Sequence, residues 1–193
     1  SRTIGGGAAQ ALMTSTTDDR RVRDATVTCV GGDLIAIAWL QRSDGKSSAR
    51  LMIRSVEPLG TTPAIKQVFD LGRAELGSGL DVAATPEAVM VGFIRDGDLR
   101  IKRSAIGGDN SIAPIPLQTI AWNDVRYPEM KARGKRLVVA YSDAGKVRVK
   151  TSRDLGATFS GLRTLANTGG IKNPSVPWSI DVAGDRLVAT VGV

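Results

Sequence analysis

The side chains of this chain that could do chemistry are carboxylates, arginines and aromatics, because it contains no histidine and a single cysteine. Without imidazole the usual general base and the commonest metal ligand are missing, so Ser-His-Asp, Cys-His and histidine-ligated zinc sites are excluded. Carboxylate and guanidinium chemistry remains. Glycoside hydrolysis needs two carboxylates roughly 5 to 9 Å apart, and Asp81, Glu129 and Asp181 recur at intervals that could bring such a pair together. Arginine suits bidentate capture of a carboxylate ligand. Arg126 is the leading clamp candidate, weighed against an arginine that merely starts a strand. Trp122 and Trp178 could stack on a sugar face, burial being the alternative for both. Cys29 sits in an apolar run with Val27 and Val30 and reads as a small buried hydrophobe. No Gly-rich phosphate loop, cysteine cluster or Asp-rich calcium loop occurs, so no metal and no cofactor are implied.

The elements that must position these residues are short strands. Among 193 residues there are 22 glycines and 8 prolines, and 42% of the chain is hydrophobic, which fits a globular all-β chain with many turns. No window sustains a helical apolar period, Ala8–Met13 being the best and too short. Overlaying the chain on itself instead gives a repeat of about 48 residues. A strand ending in an aromatic recurs as Leu34–Trp39, Val89–Phe93 and Leu137–Tyr141, and begins a fourth time at Leu187–Val191. Before each lies a turn and a further strand, namely Ala25–Val30, Leu80–Ala84, Glu129–Ala132 and Ser179–Val182. After the aromatic come a second turn and an alternating strand, Arg50–Ser55, Leu99–Ser104 and Val147–Ser152, whose closing serines stand 49 and 48 residues apart. A fourth strand is expected at Ile65–Leu71, Pro116–Ala121 and Gly161–Ala166. Four antiparallel strands per period describe a β-propeller blade. Trp39, Phe93 and Tyr141 share one repeat position and should be core between blades.

The third closing serine opens Ser152-Arg153-Asp154-Leu155-Gly156-Ala157-Thr158-Phe159. This resembles the Asp box of sialidases and related propellers, Ser/Thr-x-Asp-x-Gly-x-Thr-Trp/Phe, at every fixed position. Ser152 and Asp154 can accept from turn N–H groups, Gly156 can take positive φ, and Phe159 can tuck under the blade. Ser55–Thr62 resembles a decayed copy and Ser104–Asp109 a more decayed one. The resemblance implies that the box lies on the outer rim, where Ser152, Asp154, Gly156, Thr158 and Phe159 are structural and Asp154 forms a turn rather than serving as a catalytic acid.

Arg126-Tyr127-Pro128-Glu129-Met130 resembles the Arg-Ile-Pro opening of a sialidase blade, with Tyr in place of Ile. The resemblance implies a carboxylate clamp at Arg126. It then departs from the family, whose acid/base Asp lies in a long insertion where this chain has only Ser142-Asp143-Ala144-Gly145. A Tyr nucleophile with its Glu partner would belong to later blades. Ligand contact is therefore expected from Arg126, Tyr127, Glu129, Asp143 and Trp178.

The formal charge of +7, from 26 Lys and Arg against 19 Asp and Glu, allows attraction to an acidic glycan or surface, with a merely basic solvated surface as the alternative and nucleic acid not favoured. Arg100/Lys102 and Arg148/Lys150 alternate along third strands, so each pair shares a face, expected to be solvated. No apolar stretch approaches the roughly 20 residues that cross a bilayer. No signal peptide is visible, and a secreted or cell-surface location is what the resemblance implies. The blades divide as 26–80, 81–125 and 126–178, with 1–25 supplying an outer strand to a neighbouring blade and 179–193 the first half of a further one. The expected whole is an incomplete or two-part ring completed by another segment or chain. Its expected role is glycan or protein binding; a sialidase-type glycoside hydrolase with its site completed from outside is the alternative.

Overall fold

The computed structural model describes residues 21–56, 66–106, 112–114, 118–119, 125–167, 178–183 and 186–191, and among these there are strands and no helix. The first sheet holds β1 (Arg21–Gly31), β2 (Leu34–Ser43), β3 (Lys46–Ser55) and β4 (Lys66–Arg73). The second holds β5 (Leu80–Thr85), β6 (Ala88–Arg95), β7 (Asp98–Ile106), β8 (Ile112–Pro114) and β9 (Gln118–Thr119), the last two both pairing β7. The third is β10 (Val125–Arg133), β11 (Arg136–Asp143), β12 (Lys146–Ser152) and β13 (Arg163–Asn167), and the fourth is β14 (Trp178–Ala183) with β15 (Arg186–Val191). All pairings are antiparallel between sequence neighbours, apart from β9. Chain and strand order therefore coincide in each meander, and every expected strand within the described residues is present. Of Pro116–Ala121, only Gln118–Thr119 is described; Ala8–Met13 and Trp122 lie outside the described residues, as do most of the two decayed boxes.

The same turns build each meander. The second and third strands are joined by Asp44-Gly45, Asp96-Gly97 and Ala144-Gly145, all with positive φ at both positions (51° and 74°, 53° and 78°, 44° and 76°). That backbone is a type I′ turn, whose twist matches that of the strands it joins. Aspartate and glycine tolerate it, whereas Ala144 does so at a steric cost.

The core lies between successive sheets. Ala36, Ala38, Leu40, Leu51 and Ile53 of the first sheet pack with Val82, Val89, Val91 and Phe93 of the second. Met90, Ile94, Leu99 and Ile101 on the opposite face of the second meet Met130, Leu137, Val139 and Tyr141 of the third. Val138, Ala140 and Val149 on the far side of the third meet Ile180 of the fourth. Each sheet thus presents an onward face to the next sheet and a back face to the previous one. First strands sit side by side along this row, β1 with β5, β5 with β10 and β10 with β14. Small residues admit the close approach: Ala38, Gly92 and Ala140 occupy one ladder position, and a Cβ on Gly92 would stand 3.0 Å from the Met130 sulfur. Among the described residues the sheets do not close into a barrel or ring.

Phe93, Tyr141 and Trp39 are all buried. Phe93 and Tyr141 pack between sheets, while Trp39 joins Ile37, Met52 and Ile35 in a separate cluster on the back face of the first sheet. Cys29 corrects its expected burial. It is exposed, because it pairs with Ile35 on the same back face, where no earlier sheet stands among the described residues.

Candidate functional site

Arg126 lines a groove of about 950 Å³ formed by the β2–β3 turn, β4 and the link into β5. Ser43, Ser47, Ser48 and Ser78 supply hydroxyls to it, and Arg50, Arg73, Lys46, Asp44, Asp70 and Glu75 supply charges. Most of these charges are already partnered. Arg50 pairs with Asp70 at 3.3 Å and Arg73 with Asp96 at 3.5 Å. Glu75 accepts from the Gly97 N–H at 2.7 Å and from the Ser78 hydroxyl at 3.3 Å, tying the link to the β6–β7 turn. The groove is therefore a polar surface rich in hydroxyl groups and arranged by ion pairs, with Arg126 entering from the third sheet.

Backbone geometry aims Arg126. Tyr127 has φ of 52° and interrupts the β10–β11 register between Arg126 and Glu129. A bulky residue in this region is strained, the more so before Pro128. Two equivalent positions behave alike: Asp24 (φ 48°) interrupts the β1–β2 register, and Gly79 (φ 88°) precedes β5. The left-handed residue is thus a repeated device that turns the residue before it, Ser78 or Arg126, out of the strand direction. Gly79 also serves close approach, since a Cβ there would stand 2.8 Å from the Tyr127 Cα; the Tyr127 N–H donates to the Ser78 carbonyl at 2.7 Å.

Two residues further along, the first strands carry Thr26, Asp81, Glu129 and Ser179 at one ladder position, opposite Ala38, Gly92, Ala140 and Thr190. These side chains link neighbouring sheets. Asp81 accepts from the Met130 N–H at 2.7 Å, the Val82 N–H at 2.8 Å and the Thr26 hydroxyl at 3.2 Å. Glu129 accepts from the Ile180 N–H and the Ser179 hydroxyl, both at 3.1 Å. Burial raises the Asp81 pKa despite the N–H groups and Lys131 that favour its charge. Asp181 stands two residues beyond this position, so Asp81 and Glu129 are the equivalent pair and Asp181 is not their third member.

Asp143 ion-pairs with Arg148 at 3.2 Å. The same unit recurs: Trp39, Phe93 and Tyr141 face Arg50, Arg100 and Arg148 across the second and third strands, and these arginines pair with Asp70, Asp98 and Asp143. Arg100 and Arg148 are consequently half-buried rather than on an open basic face. Burial and the nearby Asp143 carboxylate push the Tyr141 hydroxyl up to about 12. Trp178 opens β14 opposite Val191, one residue before Ser179, whose hydroxyl donates to Glu129 of β10.

Ser152–Phe159 folds into a closed turn after β12. The Ser152 hydroxyl donates to Asp154 at 2.6 Å and accepts from the Gly156 N–H at 2.7 Å, while Asp154 accepts from the Thr158 N–H at 2.8 Å and its hydroxyl at 2.6 Å. These donors hold the Asp154 carboxyl at about 2. Gly156 (φ 85°) lies against Leu137 and Phe159, and Leu155 donates to the Lys135 carbonyl across the sheet end at 2.9 Å. Every polar group of Asp154 is spent on its own turn.

Sequence reasoning missed the groove partners Glu75, Ser78 and Ser47, which converge only through inter-sheet packing. Of the left-handed residues Asp24, Gly79 and Tyr127, only the glycine signals that backbone by its residue type. Among the described residues no cluster of three or more Cys, Asp or Glu could hold a metal. Neither the family models, the curated proteins nor the solved structures compared with this chain match it.

Proposed function

We propose that this chain is a run of β-propeller blades of the Asp-box, sialidase-like kind, exported, and acting as a glycan- or protein-binding module through the groove at Arg126. The fold reading is supported by four successive sheets whose first strands lie side by side, and by the self-satisfied Ser152–Phe159 turn at the position of an Asp box. Another segment or chain completes the ring.

One observation carries binding over hydrolysis. Asp81 and Glu129, the carboxylates placed alike on adjoining first strands, both accept from main-chain N–H groups of the next sheet. Protonating or re-aiming either one for acid–base work would break an inter-sheet contact, so they make a poor catalytic pair. Arg126, bordered by Ser78 and Glu75, instead suits recognition of a polar ligand with acceptor oxygens.

The sialidase-type hydrolase reading keeps one supporting feature, the Arg126-Tyr127-Pro128 opening on the groove. A panel of sialylated, sulfated and neutral glycans immobilised on a surface, together with fluorogenic sialosides in solution, separates the two. Binding without turnover, lost in Arg126→Ala, is the expected result; turnover lost in the same variant would replace binding with hydrolysis.

A further inference from the structure

The last rung of each meander, where the first strand turns into the second, has the same geometry in three sheets and a different charge in the third. In the first sheet it is Gly31, Leu34 and Ser55, and in the second Thr85, Ala88 and Ala105, all uncharged. In the third it is Arg133 opposite Arg136. Arg153 continues that rung, since Leu137 and Ser152 pair one step inward. The turn residue changes sign as well, Asp33 and Glu87 giving way to Lys135. Its main-chain role is unchanged: the carbonyls of Asp33, Glu87 and Lys135 accept from the Val56, Ile106 and Leu155 N–H groups at 2.6, 2.9 and 2.9 Å. Neighbouring strands stand about 5 Å apart, and like charges opposite one another destabilise a sheet. Arg133, Lys135 and Arg153 are exposed and form no ion pair among the described residues. The Asp154 carboxylate of the adjoining turn is directed onto Ser152 and Thr158.

We propose that this rung is a second binding surface, for a linear inorganic polyphosphate chain. It lies at the far end of β10 from the Arg126 groove, roughly 20 Å along the strand from Arg126 to Arg133. Guanidinium forks take phosphate oxygens in bidentate pairs, and a row of cations one strand apart matches charges strung along a chain. Other polyanions fit less well. The plane of headgroups of an anionic bilayer would also meet Asp33 and Glu87, which are exposed at the same end of the first and second sheets. Single-stranded nucleic acid uses aromatic platforms for its bases, whereas Phe93 and Tyr141 are buried and Phe159 packs against the core between the second and third sheets. A sulfated sugar ring would likewise find charge here and no aromatic face to stack on.

End-biotinylated inorganic polyphosphate on a sensor surface is the probe, titrated with the whole chain at increasing salt. Arg133→Thr with Lys135→Glu gives the third sheet the residues that the second carries at Thr85 and Glu87, and both positions are exposed. This turn pair should lower polyphosphate affinity at least tenfold, with a melting temperature no lower than that of the wild type. Arg42→Glu with Arg95→Thr makes the same charge change at the opposite end of the first two sheets, and should shift affinity less than twofold, as should Arg126→Ala. Wild-type affinity should fall steeply with salt. Equal losses in the two charge-matched pairs would overturn the proposal in favour of net charge alone, and loss in Arg126→Ala but not in the turn pair would move the phosphates to the groove. Tighter binding of heparin, single-stranded DNA or phosphatidylserine vesicles, lost in the turn pair, would overturn it in favour of that partner, and absent or salt-indifferent polyphosphate binding would overturn it outright. Glycan binding at the Arg126 groove should be unchanged in the turn pair, so failure of this proposal is distinct from failure of the proposed function.

Discussion

The Asp81 carboxylate of β5 accepts the Met130 main-chain N–H of β10 at 2.7 Å, joining two sheets at the level of their first strands. Glu129 repeats the relationship one sheet later with Ile180. Removing either acceptor leaves a main-chain donor without its partner between sheets, at a cost of about 1–3 kcal/mol. Asp81→Ala should cost more than Glu129→Ala, because Asp81 also holds Val82 and Thr26. Urea unfolding of the two variants checks the order; equal stability to wild type would remove the latch.

Gly79 permits the approach of β10 to β5. In Gly79→Ala the new Cβ would meet the Tyr127 Cα, a backbone atom that cannot swing aside, and the residue would also sit at φ of 88°. Strain and overpacking together should cost about 2–4 kcal/mol. The same variant should weaken binding at the Arg126 groove, which calorimetric titration of whichever glycan the panel identifies would read.

Ala144 takes φ of 44° in a turn whose equivalents are Asp44 and Asp96. Ala144→Asn or Ala144→Gly should therefore stabilise the fold by about 0.5–1 kcal/mol, raising the melting temperature by a few degrees. Ala144 is exposed, so no packing is lost. A lower melting temperature in both variants would show that the turn is not strained.

Two groups give the fold a predicted pH dependence. Asp154 is held at about 2, below its ordinary 3.8, first by Ser152 and then by Thr158. Its contribution is present above about pH 4 and is lost as pH falls toward 2. Tyr141, raised from 10.0 to about 12, favours the fold below pH 10 and stops doing so as pH rises toward 12. Stability curves should show Asp154→Asn flattening the acid limb and Tyr141→Phe the alkaline limb, and unchanged limbs would contradict these assignments.

The strands were legible in sequence because each repeat pairs an apolar second strand, such as Leu137–Tyr141, with turns whose glycines and aspartates fix the hairpins. The Ser152–Phe159 turn was legible because its hydrogen bonds are local. Asp81, by contrast, looked like a ligand or catalytic carboxylate: its partner Met130 is 49 residues away, and sequence spacing places strands but not the hydrogen bonds between sheets. Cys29 misled for a related reason. Its apolar neighbours describe a strand, while its exposure is set by what stands next to the first sheet. The groove depended on the left-handed residues at Gly79 and Tyr127, beside Ser78 and Arg126, and only the glycine advertises that conformation.

The groove at Arg126 is tested most directly by glycan-panel binding of wild type against Arg126→Ala, with the melting curve of each confirming that both are folded. Binding to a subset of glycans by the wild type, lost in Arg126→Ala and accompanied by no cleavage of any glycan bound, is the predicted result. Cleavage of a bound glycan, or binding that survives Arg126→Ala unchanged, would contradict it.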